Sequence, residues 1–284
     1  MFRRMSSGRS GGGRSLFSPR LLIALVIAGI SLFSYYAASS RNPVTNQVQR
    51  VSMSPEQEVA MGLQAAPEMA QQHGGLHSDR KAQELVDEIG GKLISVPQLA
   101  GKTQYQFEFH VLADEQTINA FALPGGQVFV TAGLLGRLDT EGKIAGVLAH
   151  EIGHVIERHG AEHLAKAQLT QGLTGAAVIA AYDPDNPRSH QTAAVAMAIG
   201  QLVNMKFGRD DELEADRWGV TLTADAGYDP RGMIGVMEVL AEASQGRKPP
   251  EFFSTHPDPG RRIERIEQAI REAFPDGIPK GLKP

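Results

Sequence analysis

The chain has 284 residues, 42% of them hydrophobic and 21% charged, with no cysteine. That length supports one substantial core, and the missing thiols exclude a disulfide framework, a thiolate metal site and a cysteine nucleophile. The net charge is −4, and setting aside the five arginines of the first 40 residues, which carry no acid, leaves −9 for residues 41–284, a field that repels phosphate backbones and argues against a nucleic-acid partner.

Residues 1–20 form a basic, Ser/Gly-rich lead containing Arg3, Arg4, Arg9, Arg14 and Arg20. Residues 21–38 carry no charge and are just long enough to span a bilayer as a helix. The basic flank puts the lead in the cytoplasm and the rest of the chain outside it. Two outcomes stay open: a retained transmembrane anchor, or a signal sequence cut near Ala37-Ala38-Ser39. Residues 39–53 read as a polar linker. Ser54-Pro55-Glu56-Gln57-Glu58 reads as a capped helix start. A second helix is expected over Asp79 to Val96, with Leu85, Val86, Ile89, Leu93 and Ile94 on one side. Tyr105, Phe107, Phe109 and Val111 alternate with polar partners across Gln104 to Leu112, the period of a half-buried strand. Pro124-Gly125-Gly126 is turn chemistry leading into a short strand, Val128 to Thr131. Two or three strands therefore precede the next helix.

That helix carries the most informative residues, His150-Glu151-Ile152-Gly153-His154. Residues four apart leave one helix face about 6 Å apart along the axis, so both imidazoles can meet one zinc ion. Glu151, about 100° round, can take a proton from water held by that ion without competing as a ligand. Ile144, Val147, Leu148, Ile152, Val155 and Ile156 form a buried stripe. Thr140 is the expected N-cap and Gly160 the expected stop, after Arg158-His159. Ala145, Gly146, Ala149 and Gly153 keep the helix slim enough for another backbone to approach. Two histidines leave zinc short of a third ligand. The extended pattern ending in a third histidine needs glycine at 157 and histidine at 160; the chain has Glu157 and Gly160, with His159 one place early. The other pattern uses a glutamate on a later helix. Glu212 and Asp216 lie one turn apart and can serve as ligand and as acceptor of a ligand histidine's outer N–H. Glu214 should point elsewhere. A solvated acidic first turn is the competing reading.

Between these helices, Ala/Gly-rich helices are expected at about Glu162 to Ala181 and His190 to Phe207, as a packed hairpin or one that covers the cleft or touches the membrane. Gly227-Tyr228-Asp229-Pro230 ends the Glu212 helix, and Asp229 caps the next one, through Leu240. Gln245 to Pro250 reads as a mobile loop. His256-Pro257-Asp258-Pro259 reads as a loop and helix start, with Asp258 as N-cap. Ile263, Ile266 and Ile270 stripe a last helix, and residues 275–284 read as a flexible tail. His73, His77, His110, His163 and His190 have no partner at metal-site spacing.

Four blocks taken together resemble one family: Asn119 to Gly126, His150 to His154, Glu212 to Asp216, and Thr255-His256-Pro257 with Arg262-Ile263. The chain resembles the gluzincin metallopeptidases that include the CAAX prenyl proteases, the heat-shock membrane protease and periplasmic assembly proteases (metallopeptidase family forty-eight), over residues 54–273. The resemblance implies one Zn2+ per chain held by His150, His154 and Glu212, with Glu151 as general base and Asp216 supporting a ligand. It implies that His256 polarises the substrate carbonyl or binds the oxyanion, and that Arg262 holds that loop or the substrate. Asn119, Ala120 and Phe121 would line an extended substrate added to a strand edge.

The expected fold is α+β, mainly α: a zincin-like domain over residues 54–274, with a small sheet before the metal helix and an N-terminal transmembrane helix. The expected function is zinc-dependent endoproteolysis of misfolded or unassembled envelope proteins. The domain would sit in the periplasm on a single-pass inner-membrane anchor, or be soluble there after signal cleavage. A non-proteolytic chaperone or assembly factor with a structural zinc is the alternative. Intramembrane prenyl-protein processing is disfavoured by the single convincing span. The oligomeric state is open.

Overall fold

The computed structural model describes residues 19–181, 207–245, 249–256 and 261–284, in two compact units. The smaller unit, among the described residues, contains 19–34 and 168–181. Its first helix, α1 (Pro19–Ala37), has a mean hydropathy of 1.8 and is long and apolar enough to cross a membrane. Leu22, Ile23, Leu25, Val26, Ile30 and Phe33 on it are exposed.

The larger unit contains residues 35–167 and 207–284 as described. Its first feature corrects the sequence reading: part of the expected linker is an antiparallel hairpin, β1 (Ser39–Arg41) and β2 (Val48–Arg50). Strands of three residues leave no hydrophobic alternation to read. They are held by side-chain amides: Asn42 Nδ2 donates to the Ile156 carbonyl at 2.7 Å and Gln49 Nε2 to the Glu157 carbonyl. These carbonyls end the metal helix, so the hairpin satisfies acceptors the helix cannot.

Helix α2 (Pro55–Gln72) starts with the expected capping box between Ser54 and Gln57. Helix α3 (Arg80–Ile94) is capped by Asp79 and buries Val86, Ile89 and Leu93. A three-stranded sheet follows, built from β3 (Glu108–Leu112), β4 (Ala120–Leu123) and β5 (Gln127–Thr131). The order is β3-β5-β4, parallel between β3 and β5 and antiparallel between β4 and β5. The strand expected from Gln104 starts only at Glu108, because Tyr105 is turned inward to donate its hydroxyl to Glu58 Oε2 at 3.1 Å. The short helix α4 (Ala132–Leu135) leads to α5 (Glu141–Ile156), capped by Thr140 and buried at every position from Gly142 onward except Lys143.

Helix α5 stops earlier than Gly160 suggested. Arg158 takes a left-handed φ of 57°, and α6 (His159–Ala181) begins at the next residue. A side chain in that conformation costs about 1–2 kcal/mol, offset here by burial of the guanidinium against Glu58. Helix α7 (Arg209–Asp225) crosses α5 at close range. A Cβ added at Gly153 would meet Ala215 Cα and O at 3.0 Å, so the slim face is what lets α7 approach. Helices α8 (Gly232–Ser244), α9 (Phe252–Thr255) and α10 (Arg262–Ala273) complete the unit. Asp229 accepts the Arg231 N–H at 2.9 Å ahead of α8. The expected second Ala/Gly-rich helix and the cap at Asp258 lie outside the described residues, as do residues 246–248 of the expected loop.

The tail also departs from expectation. Asp229 N–H donates to the Lys283 carbonyl at 2.8 Å, Lys283 N–H to the Gly227 carbonyl at 2.9 Å, and Lys283 Nζ pairs with Glu141. Composition rich in Pro and Gly reads as flexible, but here the backbone docks as a bridge beside Tyr228.

Candidate metal centre

Three elements bring the candidate residues together. Helix α5 presents His150 and His154, α7 presents Glu212 and Asp216, and the end of α9 presents His256. His150, His154, Glu212 and His256 each offer a donor atom, all within 4.8 Å of one another, and all four residues are buried. His150 Nε2 lies 3.1 Å from His154 Nε2. Glu212 Oε2 lies 3.6 Å from the former and Oε1 3.5 Å from the latter. His256 Nδ1 is 3.0 Å from Glu212 Oε1 and 3.5 Å from His150 Nε2. Two imidazoles and a carboxylate aimed at one point, with a third imidazole beside them, can hold a metal ion.

The surroundings fix these groups. Asp216 Oδ1 sits 3.0 Å from His150 Nδ1, the outer nitrogen, and can accept its proton. Arg262 grips Asp216 with two bonds, Nε to Oδ2 at 3.0 Å and Nη2 to Oδ1 at 2.8 Å, and its Nη1 lies 3.0 Å from Glu212 Oε2. Burial alone would raise both acids. Contacts with His150, His154 and His256 hold Glu212 well below the usual carboxylate range, and Arg262 with His150 lowers Asp216. Glu151 is 1% exposed, and its Oε1 has no hydrogen-bond partner among the described residues; His256 Nε2, also without one, lies 3.6 Å away. A buried carboxylate with an idle oxygen is costly to keep, which marks Glu151 as a candidate for chemistry.

Asn119, Ala120 and Phe121 are brought near, but not by their side chains. Asn119 is buried, with Nδ2 3.5 Å from Glu251 Oε1; Ala120 is fully buried; Phe121 stacks on Phe129 at 4.9 Å. What the segment offers is backbone. Thr131 N–H donates to the Asn119 carbonyl, so alternation along the ladder aims the peptide groups of Ala120 and Ala122 away from β5. No strand pairs with that outer edge among the described residues.

Several residues escaped the sequence reading. Phe207 stacks on His154 with ring centres 4.2 Å apart, and Phe252 on His256 at 4.4 Å. Lone aromatics outside periodic runs carry no such signal. His159, read as a base at the helix end, is 2% exposed and sits 2.8 Å from His154 through the two Nδ1 atoms. Glu214, turned away from Glu212 as expected, reaches His159 Nε2 at 3.2 Å. Spacing of five is off the helical face; the left-handed Arg158 redirects His159, and no period predicts that.

A family model described as peptidase family M48 matches residues 80–270. Curated relatives include a mitochondrial metalloendopeptidase OMA1 from Schizosaccharomyces pombe, 32% identical over 256 residues, covering 89% of this chain and 72% of that protein. A beta-barrel assembly-enhancing protease from Yersinia pestis is 30% identical over 267 residues, covering 92% and 54%. Its counterpart from Escherichia coli is 30% identical over 206 residues, covering 70% and 41%. The chain thus spans about half the length, or less, of these assembly-enhancing proteases.

Proposed function

The chain belongs to peptidase family M48 and is a metalloendopeptidase, and from that premise we propose a zinc-dependent enzyme that cleaves misfolded or unassembled proteins of a bacterial envelope. The observation that carries zinc is the spacing of the donors. Ligands at 2.0–2.1 Å around a tetrahedral zinc stand about 3.3–3.4 Å apart. The His150–His154, His154–Glu212 and Glu212–His150 separations of 3.1, 3.5 and 3.6 Å straddle that value. Nitrogen and carboxylate oxygen donors suit zinc among the available metals. Bound there, one zinc per chain would act as a Lewis acid on a peptide carbonyl and make water more acidic.

The chain's own residues supply the rest. Glu151 takes the proton of the attacking water on its idle oxygen and passes it to the leaving amide nitrogen. Asp216 holds His150 with its outer nitrogen protonated and its inner one bare. His256, wholly buried opposite Glu151, donates to negative charge developing on the carbonyl oxygen. Arg262 braces Asp216 and Glu212; its burial favours that over contact with substrate. The peptide lies along the outer edge of β4, bonded through the backbone of the partly exposed Ala122, which makes recognition tolerant of side chains. The substrate class follows the names of the assembly-enhancing relatives. The exposed apolar surface of α1 favours a membrane anchor over residues 21–38, with the enzyme on the extracytoplasmic side; a cleaved signal is the alternative.

Degradation of unfolded casein tests the reading. The wild type should cleave, and Glu151→Gln should keep its zinc and fold but lose cleavage by at least about 100-fold. Peptidase activity retained in that variant would remove Glu151 from its role. Client binding without cleavage in either protein would favour the chaperone alternative.

A further inference from the structure

The two histidines of the metal helix are supported by different chemistry. His150 leans directly on a carboxylate, Asp216. His154 leans on another imidazole. We propose that His159 is a positioning residue for the metal, fixing His154 in the tautomer that leaves Nε2 free, through a two-step hydrogen-bond relay anchored on Glu214.

The hydrogen bonds of the relay run inward from the surface, from Glu214 through His159 to His154. The oxygen of the Glu214 carboxylate is placed as an acceptor, so the nitrogen of His159 that faces it at 3.2 Å, Nε2, is placed as the donor. In the relay His159, an imidazole that donates from Nε2, presents Nδ1 as its acceptor. Its partner at 2.8 Å is His154 Nδ1, which must then donate. That leaves His154 Nε2 with a lone pair, and it is this atom that lies 3.1 Å from His150 Nε2 and 3.5 Å from Glu212 Oε1. The relay therefore aims the only basic atom of His154 at the cluster.

The geometry makes the relay specific. His159 is 2% exposed, so water does not replace it as the partner of His154. Phe207 packs on the face of the His154 ring at 4.2 Å, leaving the ring edge as the place where polar contacts set its rotation. Glu214 is 35% exposed at its side chain, which makes it the solvated end of the chain. The left-handed turn at Arg158 places His159 back over the helix it follows.

This inference rests on the metal-ligand reading of His154, and the experiment separates the two. Zinc affinity is measured by competition with a chromophoric chelator for the full chain in detergent. Wild type is compared with His154→Ala, His159→Leu, His159→Asn and Glu214→Gln, and the absorption bands of the cobalt-substituted proteins are recorded. Leucine and asparagine have nearly the same shape, but only asparagine puts an oxygen acceptor near the position of Nδ1. We expect His159→Leu to weaken zinc about 10–100-fold and shift the cobalt bands, and His159→Asn to restore most of the affinity. Glu214→Gln, at a half-exposed position that leaves folding intact, should weaken zinc by less than about 10-fold. Equal zinc affinity in wild type, His159→Leu and Glu214→Gln overturns the relay. If His159→Leu does not fold, an unchanged affinity and cobalt spectrum in Glu214→Gln overturns it. A wild type that binds no zinc, or a His154→Ala protein that binds it as well as wild type, overturns the ligand reading instead.

Discussion

Arg158→Met should be among the most damaging substitutions outside the metal cluster. The Arg158 side chain is fully buried at the turn between α5 and α6. Its Nε donates to Glu58 Oε1 at 2.9 Å, Nη1 to Ser40 Oγ at 2.9 Å, and Nη2 to the Met53 carbonyl at 2.8 Å as well as to Glu58. One guanidinium thus ties α2 and the hairpin to the end of the metal helix. Methionine fills much of the volume but leaves the Glu58 carboxylate buried with only the Tyr105 hydroxyl. Removing one partner of a buried ion pair costs about 3–5 kcal/mol, against a typical total of about 5–15 kcal/mol. Adding Glu58→Gln removes the stranded charge and keeps the Tyr105 contact, so the double variant should recover about 2 kcal/mol of that loss. Burial already raises the Glu58 pKa, with Arg158 pulling it down; without Arg158 it rises further. An acid whose folded pKa is raised contributes stability below its unfolded value and loses it as pH climbs. The Arg158→Met deficit should therefore be largest near pH 8 and shrink toward pH 5. Urea unfolding of the larger unit at both pH values measures this. A loss under about 1 kcal/mol, or additive single and double variants, would show that Glu58 is not stranded by the loss of Arg158.

Gly62→Ala should destabilise by about 1–3 kcal/mol in the same assay, because the added Cβ runs into the Pro124 carbonyl oxygen, a backbone atom with little room to yield. Ala122→Pro deletes an N–H on the outer edge of β4, where proline is tolerated. It should raise KM for unfolded casein several-fold with zinc content unchanged, and an unchanged KM would count against edge docking. Asp211 accepts from Gly208 N–H at 2.7 Å and pairs with His163 at 2.8 Å. Burial pushes its pKa up, but His163 and the Gly208 N–H bring it down to about 2. The resulting stability, about 2 kcal/mol, is present above pH 3.8 and lost as pH falls toward 2. The gap in urea midpoint between wild type and Asp211→Asn should accordingly hold from pH 6 to about pH 4 and narrow below that toward pH 2.

The metal cluster was legible because helical periodicity is a strong constraint. Four-residue spacing places His150 with His154 and Glu212 with Asp216, and the slim face at Gly153 announced a second helix at close range. Arg262 and His256 could be found only by resemblance, since neither stands at a ligand spacing from any other candidate. Where the reading failed, tertiary hydrogen bonds had overridden local composition. The hairpin over residues 39–50 is held by Asn42 and Gln49 on the end of α5, and the C-terminal tail by Lys283 on the loop before α8. Polar, Pro/Gly-rich stretches look alike whether they dock or not. The stop at Arg158 was misplaced because its left-handed backbone is stabilised by Glu58, a hundred residues away.

X-ray absorption at the zinc edge, on the zinc-loaded full chain and on Glu212→Ala, reads the ligand set itself. Scatterers should be nitrogen and oxygen only, at about 2.0–2.1 Å, with the multiple-scattering signature of at least two imidazoles. Glu212→Ala should lose an oxygen and bind zinc far more weakly. An identical zinc environment in both proteins, or fewer than two imidazoles in the wild type, would contradict the assignment of His150, His154 and Glu212.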